Sequence, residues 1–253
     1  MLKYERLEKI EKYISENKYV SVSELMEEFR ISRATVRRDL LTLESRHAIV
    51  CTRGGALMEG TTHYELPYQD KEVSNRDEKL RLAAWAVQEL KAGDTILIDT
   101  GTTLSCLAQR IPDEQLLAAT CDVKIAMELA KKSQTNVLMI GGGMIRKGYF
   151  NITGTFTEQM LQEYHFDKFF MSCDAVDLRA GVTITNSDEV RVKRAMMQAS
   201  NESILLIDHT KFEKVTFSKV CKLASMTRII TGRELDDAVY QAYLDAGVKL
   251  ERV

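Results

Sequence analysis

Six short apolar runs set the strongest limit on what this chain can fold into: TILID at 95–99, LLAAT at 116–120, NVLMI at 136–140, KFFMSC at 168–173, SILLID at 203–208 and RIIT at 228–231. A strand with one wet face alternates apolar and polar residues, whereas a strand covered on both faces stays apolar along its length. These runs stay apolar. Helical patterns fill the intervals between them, and a parallel strand pair needs such a crossover. Residues 78–253 therefore read as α/β: a mostly parallel sheet with helices on both sides.

In open sheets of this kind ligands gather beyond the carboxyl ends of the strands. The residues placed there are Asp99-Thr100-Gly101-Thr102-Thr103, Thr120-Cys121-Asp122, Gly141-Gly142-Gly143, Asp174, and Asp208-His209-Thr210-Lys211. The first loop has no Lys of a Walker motif and no G-x-G-x-x-G of a dinucleotide fold. It does offer backbone N–H groups at a helix start with threonine hydroxyls beside them, which suits a phosphate monoester. Asp and Thr also cap helices that bind nothing, and three glycines also make a plain turn. Taken with the cation Lys211 at another strand end, the cluster points to a ligand pocket.

The first 58 residues follow another period. Leu7, Ile10 and Ile14 recur at helical spacing and predict an amphipathic helix over 3–16. Ser21 with Glu24 three residues on forms a capping box that opens a second helix through Phe29, and Ser32 caps a third with a core stripe of Val36, Leu40 and Leu43. That stripe turns Arg33, Thr35, Arg37 and Arg38 toward the open sides. Two closely spaced helices of this kind are a helix-turn-helix. A short strand, Ile49–Thr52, then meets Arg53 and the pair Gly54-Gly55, where a tight turn would begin a returning strand. This reads as a wing. The start of the third helix would enter the major groove of double-stranded DNA, through Ser32, Arg33, Thr35, Arg37 and Arg38, while Arg53 reaches the backbone or minor groove.

Charge supports the assignment. Residues 1–58 carry 11 Lys and Arg against 9 Asp and Glu, in a chain of formal net charge −2. Between residues 30 and 53 every cation except the histidine is arginine: Arg30, Arg33, Arg37, Arg38, Arg46 and Arg53 face only Asp39 and Glu44. A protein-interaction module with a solvated basic face has the same bulk charge but no reason for caps, turn and wing in this order. A sequence-independent DNA-packaging protein fits poorly with a net acidic chain. The 5 cysteines are scattered, without C-x-x-C spacing or a histidine pattern, and predict free thiols rather than a metal site or disulfides. No cofactor motif is present. A charged N-terminus and the lack of a long apolar run predict a cytoplasmic protein without a membrane partner. Residues 59–77, with Pro67 and a polar stretch, are expected to link the two parts.

The stretch VSVSELMEEFRISRATVRRDLLTLESRHAIVCTRGGAL resembles the helix-turn-helix of the DeoR family of bacterial repressors, above all in I-S-x-x-T-V-R-R-D-L and the closing R-G-G-A. D-T-G-T-T, G-G-G and D-H-T-K-F resemble the sensor domain of the same family, similar in fold to ribose-phosphate isomerase and CoA transferase domains. Arg76, Glu78 and Lys79 resemble the segment that enters its first helix. The resemblance implies a repressor of a carbohydrate-catabolism operon, released by a phosphorylated sugar; a homo-oligomer is expected because helix-turn-helix proteins usually bind paired half-sites. Carried over by position, Asp99, Gly101, Thr102 and Thr103 would hold the phosphate, Gly142 and Gly143 would lie beside it, and Asp174, Glu189 and Lys211 would face the sugar. The chain departs from the family pattern at Val50-Cys51, where a basic residue is usual, and at Cys121-Asp122, where Asn-Ser is common. An active sugar-phosphate isomerase or deaminase with an appended DNA reader is the rival reading. The glycine-rich Asp-Gly-His segment of the deaminases is replaced here by SCDAVDLRAG, and no catalytic residue is assigned.

Overall fold

In the computed structural model, which describes residues 2–17, 19–46, 48–51, 54–58 and 65–253, the chain separates into two units, Met1–Ser74 and Asn75–Val253. The first begins with α1 (Lys3–Asn17), which buries the expected Leu7, Ile10 and Ile14. After β1 (Tyr19–Ser21), α2 (Val22–Phe29) opens on the expected capping box: Glu24 N donates to Ser21 Oγ at 3.1 Å, and Ser21 N donates to Glu24 Oε2 at 2.7 Å. Arg30, in the left-handed region at φ 50°, ends α2 and turns the chain into α3 (Arg33–Glu44). Val36, Leu40 and Leu43 of α3 pack with Leu7, Ile10, Ile14 and Leu25 in one core, each fully buried side chain contributing roughly 1.5–3 kcal/mol.

The wing is present, with one strand more than expected. β2 (Ile49–Cys51) and β3 (Gly55–Met58) pair antiparallel, and β1 joins the other side of β3. Three residues are too few to show a period, which is why β1 was not legible. The returning strand begins at Gly55 as expected, and the glycines also serve close approach: a Cβ at Gly55 would run into the Val20 backbone, and one at Gly54 into the Asp70 carboxylate. Thr52 lies outside the described residues. The stretch expected as linker carries α4 (Tyr68–Val73), with Tyr68 buried and Asp70 accepting a hydrogen bond from the Tyr19 hydroxyl.

The second unit runs α5 (Arg76–Gln88), β4 (Thr95–Ile98), α6 (Thr102–Arg110), β5 (Leu116–Thr120), α7 (Val123–Leu129), β6 (Thr135–Met139), α8 (Thr155–Leu161), β7 (Phe166–Met171), β8 (Ala175–Asp177), β9 (Gly181–Ile184), α9 (Glu189–Gln198), β10 (Ser200–Leu206), β11 (Ser218–Cys221), β12 (Arg228–Thr231), α10 (Asp237–Asp245) and β13 (Leu250–Arg252). All six apolar runs become strands of one seven-stranded sheet, in the order β13-β12-β10-β7-β4-β5-β6. Every neighbouring pair is parallel. Both faces are covered: Leu97, Phe169, Met171 and Leu205 enter one core, and Ile96, Ile98, Phe170 and Leu206 the other. That is why the runs do not alternate.

β8, β9 and β11 form a small antiparallel sheet that sequence reasoning missed, as it missed the edge strand β13. AVD, SKVC and LER are short and mixed in polarity, so neither period stands out. Strand order reverses between β4 and β7, since β4 has the next strand in sequence, β5, on one side and the later β7 on the other. A crevice opens outside the carboxyl ends at such a point.

Candidate functional site

The surface expected to read DNA rests on the start of α3. Ser32 Oγ accepts from Thr35 N at 3.3 Å and lies 3.0 Å from Thr35 Oγ1, so the cap fixes the first turn. Ser32, Arg33, Arg37 and Arg38 are exposed and Thr35 is half-buried. Among the described residues, no carboxylate pairs with Arg33, Arg37 or Arg38 within 4.0 Å. The helix holds one charge that was not foreseen. Asp39 is buried beside Val36 and Leu40, where the Arg6 guanidinium of α1 grips it at 2.6 and 3.2 Å. At the wing, Cys51 N donates to Glu44 Oε1 at 2.8 Å, joining β2 to α3. Burial, helped by Glu44, pushes the Cys51 thiol up to about 12, so it is an inert thiol. Arg53 lies outside the described residues.

The second site lies at the carboxyl ends of the parallel strands, where Asp99 follows β4, Asp122 follows β5, Gly141–Gly143 follow β6, Asp174 follows β7 and Asp208 follows β10. Gly101 opens α6 at φ 121°, a conformation that favours glycine, and brings no capping side chain of its own; its backbone bonds the Asp122 carboxylate. Thr102 and Thr103 are buried in its first turn. Asp122 instead caps α7, accepting from Lys124 N at 2.8 Å and Ile125 N at 3.1 Å, and takes the Thr100 hydroxyl at 2.7 Å. Burial raises the Asp122 carboxyl above its usual range despite these bonds.

A chain of alternating charge runs through this site. Asp99 is buried, and its Oδ2 accepts from Ser172 N at 3.2 Å and forms an ion pair with Lys193 Nζ. Lys193 Nζ also donates to Ser172 O at 3.2 Å and lies 3.8 Å from Glu189 Oε2. Glu189 Oε1 in turn accepts from Arg146 Nη1 at 2.9 Å, and the Arg146 guanidinium stacks 3.9 Å from the Tyr149 ring centroid. Burial opposes the charge on Lys193, but Asp99 and Glu189 outweigh it and hold the ammonium above the usual lysine range. The structure therefore joins two predicted residues, Asp99 and Glu189, through one that sequence reasoning missed. The signal was available: Glu189, Val192, Lys193 and Met196 are the buried face of α9, and a lysine on such a stripe must be paired.

The remaining predicted residues are placed by other contacts. Asp174 Oδ2 accepts from Thr185 N at 2.8 Å. Lys211 is half-buried and closes the turn His209–Lys211 after β10. Gly142 and Gly143 are exposed; a Cβ at Gly142 would come within 2.7 Å of Phe156 Cβ, and one at Gly143 within 2.6 Å of Thr153 O. Their bareness lets this loop pack against 152–156. All five cysteines are free thiols. No helix among the described residues is long and apolar enough to cross a membrane.

Residues 6–62 match the DeoR-like helix-turn-helix domain, and residues 74–233 match the DeoR C terminal sensor domain. The chain belongs to the DeoR family. It is 33% identical over its whole length to an uncharacterized HTH-type transcriptional regulator, YulB, of Bacillus subtilis strain 168, covering 98% of that protein. The HTH-type transcriptional regulator GlpR of Haloferax volcanii is 32% identical over 98% of this chain and 97% of its own. The lactose phosphotransferase system repressor of Staphylococcus aureus strain N315 is 32% identical over 94% of this chain and 96% of its own. Among solved structures, ribose 5-phosphate isomerase A of Methanocaldococcus jannaschii resembles this DeoR-family chain at a TM-score of 0.41, with 18% identity over 55% of each chain, too distant to bear on its chemistry. The exposed arginines of α3 thus belong to a DNA-binding transcriptional regulator, and the strand-end site belongs to its sensor domain.

Proposed function

We propose that this DeoR-family regulator represses a carbohydrate-catabolism operon and is released from its operator DNA when a phosphorylated sugar occupies the crevice outside β4 and β7. The observation that carries the reading is the start of α6, opened by Gly101 with its bare backbone, beside a carboxylate that Lys193 already neutralises. An unpaired Asp99 would repel a phosphate there. Paired, it leaves the first turn of α6 as an anion site. On this reading Asp99, Gly101, Thr102 and Thr103 form the phosphate end, Gly142 and Gly143 border it, and Asp174, Glu189 and Lys211 face the sugar, with Arg146 and Lys193 added to the set. Operator contacts fall to Ser32, Arg33, Thr35, Arg37, Arg38 and Arg53. Residues 1–58 read DNA, 59–77 link, and 78–253 sense, in a cytoplasmic homo-oligomer, since helix-turn-helix proteins engage paired half-sites. The names of relatives, among them the lactose phosphotransferase system repressor and a putative aga operon transcriptional repressor of Escherichia coli O157:H7, support the assignment to sugar metabolism.

Turnover of the sugar is the competing reading. Asp99 and Glu189 are committed to cations, and Lys193 is held protonated. A general base works best with a pKa near the operating pH, and an amine nucleophile must be neutral. We therefore read the site as a binder. A thermal-shift panel of pentose 5-phosphates, hexose 1- and 6-phosphates, amino-sugar 6-phosphates and glycerol 3-phosphate, with inorganic phosphate as control, tests this. A specific rise in melting temperature for a panel member that the protein leaves chemically unchanged is expected. Consumption of the sugar would establish the enzyme instead, and no rise with any member would remove the effector reading.

A further inference from the structure

The first turn of α5 is bound to the loop that follows β10. Asn75 Nδ2 donates to Asp208 Oδ1 at 3.0 Å, and Glu78 Oε1 accepts from the N–H groups of His209 at 2.8 Å and Gly232 at 3.1 Å. Glu78 Oε2 meets His209 Nδ1 at 2.7 Å. Glu78 and Asp208 are 3% and 2% exposed, so both carboxylates are buried, while the His209 side chain remains 33% exposed. A Cβ at Gly232 would collide with the Glu78 carboxylate, so the glycine makes room for it.

Glu78, Asp208 and His209 bring donor atoms within 4.8 Å of one another, close enough for a metal ion. The hydrogen bonding argues for another role. Asp208 Oδ1 accepts from Thr210 N at 3.1 Å and from the Thr210 hydroxyl as well as from Asn75. The Lys79 and Lys211 ammonium groups lie in the same field and favour the Asp208 anion. A cation would have to displace N–H donors and compete with two lysines. The cluster is a clasp between two segments of chain.

Where the segments lead gives the clasp its meaning. Asn75 follows directly on Ser74, the last residue of the first unit, and adopts a left-handed φ of 50° that Asn tolerates better than most residues. On the other side, Lys211 N donates to Asp208 O at 3.1 Å, so Lys211 and the clasp share one short turn. We propose that Asn75 and Glu78 are positioning residues of the effector response: they tie the 208–211 turn to the segment that leaves the sensor unit, so that movement of Lys211 upon effector binding carries residues 75–78 with it. This rests on the reading of Lys211 as effector-facing. A buried network with one satisfied arrangement transmits a shift that a solvated loop would absorb.

The test uses the full-length protein and has one arm that needs no effector. Asn75→Ala should speed amide hydrogen exchange at Thr210 and Lys211 by about tenfold, and Glu78→Gln, which keeps the acceptor oxygen but removes its charge, should do the same at His209 and Gly232, the scale of losing the charge assistance of a hydrogen bond. Unchanged exchange in both variants makes the two segments independent and overturns the proposal. The second arm uses an operator selected from random double-stranded DNA and the panel sugar phosphate with the largest wild-type thermal shift. Glu78→Gln should keep that thermal shift yet need about tenfold more sugar phosphate to release half the DNA. A wild-type release curve contradicts transmission, and so does loss of the thermal shift, which would put Glu78 in binding. If no panel member shifts the wild type, the effector reading fails and the exchange arm decides whether the clasp couples the two segments.

Discussion

The two charged regions of this molecule are built in opposite ways. On α3, Arg33, Arg37 and Arg38 are exposed and pair with no carboxylate among the described residues. Outside β4 and β7, Asp99, Lys193 and Glu189 are buried, and Arg146 closes their chain. On the proposed function, the difference follows from the partner each region would meet. DNA brings a dense, hydrated row of phosphates, and a free guanidinium gains affinity by releasing counterions. A small anion offers few contacts, so its site must be preorganised, and charges taken out of water for that purpose must already be matched.

Breaking the buried chain should therefore have the largest effect. Lys193→Met leaves Asp99 and Glu189 buried without their shared cation, and urea unfolding should show a loss of about 3–5 kcal/mol. A loss below about 1 kcal/mol would mean that the pair is solvated in practice and that the contrast with α3 is overstated.

Arg37→Ala and Arg38→Ala come next and should act on DNA alone. Each should cost about 1–3 kcal/mol in operator affinity if it reads a base, with relaxed specificity at one position; a phosphate contact would weaken all sequences alike and lower the salt slope by about one. Melting temperatures should stay near wild type, because both side chains lie off the Val36, Leu40 and Leu43 stripe. If operator affinity is unchanged in both variants, α3 is not the reading helix.

Thr102→Val removes a hydroxyl at nearly constant volume. Calorimetric titration with the effector should show about tenfold weaker binding, or about 1.4 kcal/mol. An unaltered dissociation constant would take Thr102 out of the pocket.

The smallest effect sharpens the comparison by pH. Burial raises the folded-state pKa of Asp122, so the stability it contributes is complete below the ordinary aspartate range and is lost as pH rises through the raised value. Asp122→Asn keeps an oxygen for the Lys124 and Ile125 amides and removes that titration. Wild type should thus lose stability relative to the variant as pH rises from the ordinary carboxylate range toward neutrality, read from unfolding curves at several pH values. Parallel curves would show that Asp122 is effectively solvated.

Much of the scaffold was legible because local chemistry writes it. The Ser21–Glu24 box, the Ser32 cap and the six apolar runs each carry their structure within a few residues, and each stands where its pattern placed it. β1 and the β8-β9-β11 sheet were not, since their strands are only three or four residues long and depend on partners distant in sequence. The site was half legible. Loops announce themselves through Gly, Thr and Asp, but Lys193, Asp39 and Glu78 lie within helices and resemble ordinary surface charges until the apolar stripe is drawn through them: Val36 and Leu40 flank Asp39, Leu82 follows Glu78, and Val192 and Met196 flank Lys193. A charge on a buried stripe implies a partner, and which partner is fixed only by the tertiary fold. The close approaches at Gly54, Gly55, Gly142 and Gly143 were not legible for the same reason, because what a missing Cβ makes room for is a neighbour elsewhere in the fold.

The link between the two regions is best measured by titrating the sugar phosphate into a preformed complex of the full-length protein with its selected operator and following DNA release by fluorescence anisotropy, wild type against Thr102→Val. An effector that releases DNA must favour the low-affinity conformation, so weakening its hold leaves the equilibrium with the DNA-bound form. The expected result is equal DNA affinity in the absence of sugar phosphate and a release curve for Thr102→Val displaced about tenfold toward higher concentration. Superimposed release curves would mean that the Asp99–Thr103 loop is only the start of a helix and that release is governed elsewhere.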